Sequence, residues 1–152
     1  MFDKLVRTDH NLGATLLRLA LGIVMFPHGA QKVLGCFGGY GFSGTMNSFT
    51  EQMHIPTIFA FLAICAEFLG SLGLISGFLT RVAAFGIFCV MLVGALMVHV
   101  PNGFFMNWSG AQKGEGFEYH ILAIGIAVVL MLRGGGAWSV DEAIAKRRMP
   151  GV

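Results

Sequence analysis

Residues 12–34 read LGATLLRLALGIVMFPHGAQKVL, an apolar run whose ionisable members are Arg18, His28 and Lys32. A membrane-spanning helix needs about 20 mostly apolar residues, and this stretch has that length. A charge at the bilayer centre costs about 2.5–3.5 kcal/mol on insertion scales, so a residue such as Arg18 is expected to face a protein interior. Three more apolar runs follow, at residues 56–78, 82–100 and 117–132. The last is short, and spans if the bilayer thins locally or the helix begins a turn earlier. These are continuous runs, whereas membrane strands alternate over ~10 residues, so helices are expected and a barrel is not. The expectation is all-α: an integral membrane four-helix bundle forming one domain over residues 1–152.

The composition agrees. Hydrophobic residues make up 55% and charged residues 12% of the chain, against about 25% charged in soluble domains. Mean hydropathy is +0.73. No polar block is long enough for a second domain. The net charge of +2 sits in flanks and is not interleaved with exposed aromatics, which sets nucleic acid aside as a partner. The implied partners are the lipid bilayer and another protein or a second copy of this chain.

Basic residues set the orientation. Lys4 and Arg7 precede the first run, Arg81 lies between the second and third, and Arg133, Lys146, Arg147 and Arg148 follow the fourth. The opposite side has Lys32 and Lys113. Basic residues accumulate on the cytoplasmic side, so both termini are expected inside and the loops at 34–55 and 101–116 outside. Arg18 interrupts the first run and no small-residue cleavage site follows, so it is expected to stay as an anchor. Ser139 and Glu142 have capping-box spacing, and with Trp138 they predict a short basic helix at about 139–148 on the cytoplasmic membrane surface.

The chemistry is expected from the ionisable residues within or beside the spans: Arg18, His28, Glu67, His99, Glu118 and His120. At about 1.5 Å of rise per residue, His28, His99 and His120 share one outer layer near Lys32. Glu67 falls about two turns beneath them, and Arg18 about one turn further down. Arg18 cannot lose its proton and Glu67 is the acid nearest in depth, so the two are expected to pair. Imidazole binds transition metals and titrates near neutrality, so the histidine layer could hold a metal, haem or a quinone headgroup. Pro27 beside His28 predicts a kink with freed carbonyls. Glu118, two residues before His120, points to the opposite helix face and belongs with the water interface.

Small residues at three- and four-residue spacing, such as Ala60, Ala63, Gly70 and Gly77 around Glu67, predict close helix contacts. The loop after the first run is rich in glycine and aromatics, and is expected to cap the histidine layer or lie in the aromatic belt. Cys36, Cys65 and Cys89 contain no C-x-x-C pair. Phosphate-loop, H-E-x-x-H and G-x-S-x-G motifs are absent, which excludes those enzyme classes.

Arg18 to Lys32 ending in His28-Gly29-Ala30-Gln31-Lys32, Glu67-Phe68-Leu69-Gly70, Gly77-Phe78-Leu79-Thr80-Arg81, His99, Gly103-Phe104-Phe105, Glu118-Tyr119-His120 and Gly136-Ala137-Trp138-Ser139-Val140-Asp141 together resemble the DoxX family of small bacterial inner-membrane proteins. That family takes its name from a subunit of a thiosulfate:quinone oxidoreductase, and its relatives are described as oxidoreductases linked to quinone or thiol stress. The resemblance covers nearly the whole chain. It implies a multi-pass protein of the bacterial inner (plasma) membrane, acting as an oxidoreductase subunit with a quinone as cofactor; a haem or metal stays open. Fold transfers across such a resemblance better than function does. His28, Glu67 and His99 are then the candidate catalytic groups, and Arg18, Lys32 and His120 the candidate binding groups. The competing readings are a structural or assembly subunit of a larger membrane complex and a small proton-coupled permease. The permease is weakened by the lack of a visible inverted repeat.

Overall fold

The computed structural model describes residues 2–148. Seven α-helices account for most of it: α1 (Phe2–Val6), α2 (Leu12–Leu34), α3 (Gly41–Asn47), α4 (Thr57–Ser76), α5 (Thr80–Gly94), α6 (Glu118–Arg133) and α7 (Val140–Arg148). No strand occurs among the described residues.

Local chemistry fixes the helix ends. The Asn11 side chain accepts from the Ala14 N–H at 2.9 Å, capping α2 at its start, and Gly35 ends it in the left-handed conformation (φ 71°) that glycine adopts without steric cost. Pro27 removes one backbone donor, yet α2 continues through it without the expected break. α5 does not end as an α-helix. Residues Ala95–His99 form a wider π turn and Val100–Asn102 a 3₁₀ turn. A π turn inserts one residue and so rotates the succeeding residues by about 100° relative to a regular helix.

Three helices are long and apolar enough to cross a membrane: Leu12–Leu34, Thr57–Ser76 and the continuous segment Thr80–Asn102. α6 has 16 residues, or about 24 Å at the usual rise, short of the roughly 30 Å hydrocarbon thickness. α2 packs on α4, α4 on α5, α5 on α6, and α6 back on α2. Their shared core is Leu21, Met25, Leu74, Ala84, Ile87, Ala123, Ala127 and Leu130. Phe59, Leu62, Leu69, Phe85, Leu96 and Leu122 point outward and are exposed, as expected where the surrounding solvent is lipid.

Successive helices run antiparallel, which gives the molecule two ends. At the tail end, α1, the α4–α5 turn and the chain from Gly134 into α7 meet. At the loop end lie the connections between α2 and α4 and between α5 and α6. Gly29 sets the fit of α2 on α4, because a Cβ there would stand 2.6 Å from the Phe68 Cα. Only glycine allows that approach.

Candidate functional site

The ionisable residues separate into two groups, one at each end. At the tail end Arg18 is 2% exposed, and its guanidinium donates to the carbonyls of Gly135 at 2.9 Å, Leu74 at 2.7 Å and Ile75 at 2.6 Å. Nη2 reaches the Trp138 carbonyl at 3.5 Å. Leu74 and Ile75 are in the last turn of α4, where carbonyls lack intrahelical donors, and a cation also complements the negative end of the helix dipole. The expected Arg18–Glu67 pair is not formed. Gly29 holds Glu67 level with the upper part of α2, and Arg18 lies about 16 Å lower along that helix.

The tail supplies the remaining partners. Asp141, 1% exposed, accepts from the Leu79 and Thr80 N–H groups, each at 2.8 Å. It thereby caps α5 and holds Leu79 in a left-handed conformation (φ 48°) that leucine rarely adopts. The Ser139 hydroxyl accepts from the Glu142 N–H at 3.0 Å, while the Glu142 carboxylate accepts from the Trp138 N–H at 2.9 Å. The capping box therefore exists, its return bond falling one residue earlier than the usual pattern. Glu142 also accepts from Lys146 at 2.9 Å and His10 at 2.8 Å. The Lys146 bond first, then His10 and the Trp138 N–H, lower its pKa to about 2 against the opposing effect of burial. The first turn of α7 is thus buried and docked against the tail end. Arg81 completes this end by donating to the carbonyls of Met131, Leu132 and Arg7.

At the loop end the acid–base pair is Lys32 with Glu67, Nζ to Oε2 at 2.6 Å. The Glu67 side chain is 6% and the Lys32 side chain 23% exposed. His28, one turn before Lys32 on α2, is exposed. At the end of the π turn, the His99 ring meets the His120 ring at a centroid separation of 4.1 Å. The His99 Nδ1 lies 2.9 Å from the Glu115 carbonyl, and a carbonyl only accepts, so that nitrogen carries a proton. His120 is 8% exposed, and its Nδ1 has no partner among the described residues. Glu118 faces away, accepting from the Met106 N–H at 3.0 Å and bracing the loop.

His99 and His120, expected at one level, meet, whereas Glu67 pairs with Lys32 and not with Arg18. His28, His99 and His120 do not converge as a metal site: no group of three potential ligands is found among the described residues. A cavity of about 260 Å³ opens beside Lys32 under the glycine-rich loop. Its walls include Gln31 and Thr45, which sequence reasoning does not single out. Polar residues alternating with glycine and aromatics in that loop are the available signal. Asp141 is also missed, although it closes the Gly136–Asp141 motif.

Several relatives bear on identity. A family model described as DoxX matches residues 13–100. "Inner membrane protein YqjF" of Escherichia coli (strain K12) is 26% identical over 137 residues, covering 90% of this chain and 95% of that one. "Putative oxidoreductase CatD" of Bacillus subtilis (strain 168) is 26% identical over 140 residues, covering 92% of each chain. No solved structure matches. The three apolar helices and the inner-membrane relative make this a multi-pass protein of the inner (plasma) membrane. With the family model spanning more than half its length, the chain belongs to the DoxX family.

Proposed function

We propose that this protein is a quinone-linked oxidoreductase subunit working at the loop end of a four-helix membrane bundle, with both termini in the cytoplasm. The orientation rests on Lys4, Arg7, Arg81, Arg133, Lys146, Arg147 and Arg148 falling at the tail end. α6, the shortest of the four, spans with local thinning of the bilayer. The observation that carries the reading is the Lys32–Glu67 pair, its acid buried, one helical turn from His28, with the orphaned His120 Nδ1 and the His99 ring at the same end. Reducing a quinone to a quinol takes two electrons and two protons. The chain has proton-carrying groups in the right place, and the electrons come from a partner protein or a separately bound cofactor. The relative named as an oxidoreductase supports the class of reaction.

The test is gentle purification followed by quinone extraction, mass spectrometry and quinol-dependent absorbance. Bound quinone, with turnover lost in Glu67→Gln and reduced in His28→Ala, is the expected result. Protein that carries no quinone, binds none when offered it, and copurifies with a fixed partner unaffected by either change overturns the reading. That outcome would favour a structural subunit, a role suited to the tail end, where Arg18 and Asp141 tie separate turns of the chain together.

A further inference from the structure

The loop-end cavity is built, and none of the histidines lines it. Its floor carries Lys32, and Gln31, Tyr40, Thr45, Ser48 and Phe49 contribute to its walls. Thr45 is 4% exposed and borders the cavity, yet its hydroxyl makes no hydrogen bond among the described residues. Its neighbours behave differently: the Ser48 hydroxyl bonds to Gln52 at 3.2 Å and the Thr50 hydroxyl to the Met46 carbonyl at 3.0 Å. The hydroxyl is not sealed in the core, so it can donate to a ligand atom in the cavity. Lys32 has three N–H donors and gives one to Glu67, so the remaining donors are free for a ligand.

We propose that this cavity binds the ring of a small, uncharged aromatic ligand whose carbonyl or phenol oxygen accepts from Lys32 and Thr45. Charge selects the class. Glu67 already neutralises Lys32, so an anionic ligand would bring a negative charge with no free counter-charge to meet it. Size selects it further, since about 260 Å³ lies below the roughly 300–1,000 Å³ of drug-sized pockets and suits one or two fused rings. Phe49 and Tyr40 offer ring faces. This deepens the quinone-linked reading and rests on it: the headgroup is held by α2 and the glycine-rich loop, and His99 and His120 do not touch it.

The test is equilibrium dialysis of the full chain in detergent against 2-methyl-1,4-naphthoquinone. Thr45→Val, which keeps the shape and removes the hydroxyl, weakens binding roughly tenfold, as expected for one lost hydrogen bond. Thr45→Ser restores it. Ser48→Leu, which fills the space from a position outside the core, weakens binding at least as much, while His120→Ala stays within about twofold. Naphthalene-2-carboxylate binds more weakly than the quinone. Wild-type binding retained in both Thr45→Val and Ser48→Leu but lost in His120→Ala places the ring on the imidazoles and overturns this inference alone. Tighter binding of the carboxylate overturns the uncharged class. Wild-type protein that binds no quinone removes the functional reading and this placement with it.

Discussion

The two ends of this molecule use the same residue types for opposite purposes. At the tail end three of the charged groups that enter the protein are answered in full, leaving Thr80 Oγ1 and Arg81 Nε buried without a partner: Arg18 meets backbone carbonyls, Asp141 meets two backbone N–H groups, and Glu142 meets a cation, an imidazole and an N–H. At the loop end partners are missing. The His120 Nδ1 is orphaned, Thr45 faces empty space, and Lys32 retains unused donors. Matched polar groups hold a fold, whereas unmatched ones are retained where a ligand or a proton must be taken up. Ionisability inside a membrane therefore does not by itself mark the site. What sets the loop end apart is a cavity bordered by Lys32 and Thr45.

Arg18→Met should have the largest effect. It strips three carbonyls of a charged donor and is expected to cost about 3–5 kcal/mol, seen as a fall of roughly 10–15 °C in the thermal unfolding midpoint in detergent. A stable Arg18→Met protein would dissolve the contrast, because the tail end would then be dispensable to folding. Gly29→Ala comes next and acts on both ends. Its Cβ would meet the Phe68 backbone at 2.6 Å, forcing α2 from α4 at a cost of about 1–3 kcal/mol. Ligand binding should fall with it, since the Lys32–Glu67 contact depends on that approach. Glu67→Gln completes the series, keeping a hydrogen-bond acceptor for Lys32. Its midpoint should move by no more than about 3 °C while turnover with quinol disappears. Comparable thermal losses in Arg18→Met and Glu67→Gln would show that both ends are structural.

Why sequence alone pairs Arg18 with Glu67 explains how far such reading goes. The position and length of the apolar helices are legible because each depends on composition along one helix: the first run matches α2 at both ends, and the fourth matches α6 to within a residue. Depth is also additive along a helix, so His99 and His120 fall at one level. Partnering depends on where helices cross, and Gly29 sets that crossing by a contact with Phe68 that no count of residues contains. It depends as well on acceptors with no side-chain signature. Arg18 is answered by main-chain carbonyls, and one of these belongs to Gly135, far along the chain. The cavity is illegible for a related reason, since its walls join the end of α2 to a loop whose path is set by left-handed residues such as Phe37 and Gly38.

The smallest effect is a pH dependence confined to the tail end. Folding lowers the Glu142 pKa from an ordinary 4.5 to about 2. A carboxyl with a depressed folded pKa contributes stability that is fully present above its unfolded value, and that is lost as pH falls through the folded one. Docking of α7 should therefore survive at pH 5 and weaken progressively between about pH 4.5 and 2. In a Trp108→Phe background, Trp138 fluorescence reads this release, because the Trp138 N–H is held by the same carboxylate. Lys146→Gln removes the largest contributor to the depressed pKa. It should raise the midpoint of the transition, with His10→Gln shifting it less. The loop-end cavity contains none of these groups, so quinone affinity measured across the same range should not follow the fluorescence change. A binding curve that tracks tail release would mean that the two ends are coupled through α2, and that the tail regulates the site from the far side of the membrane.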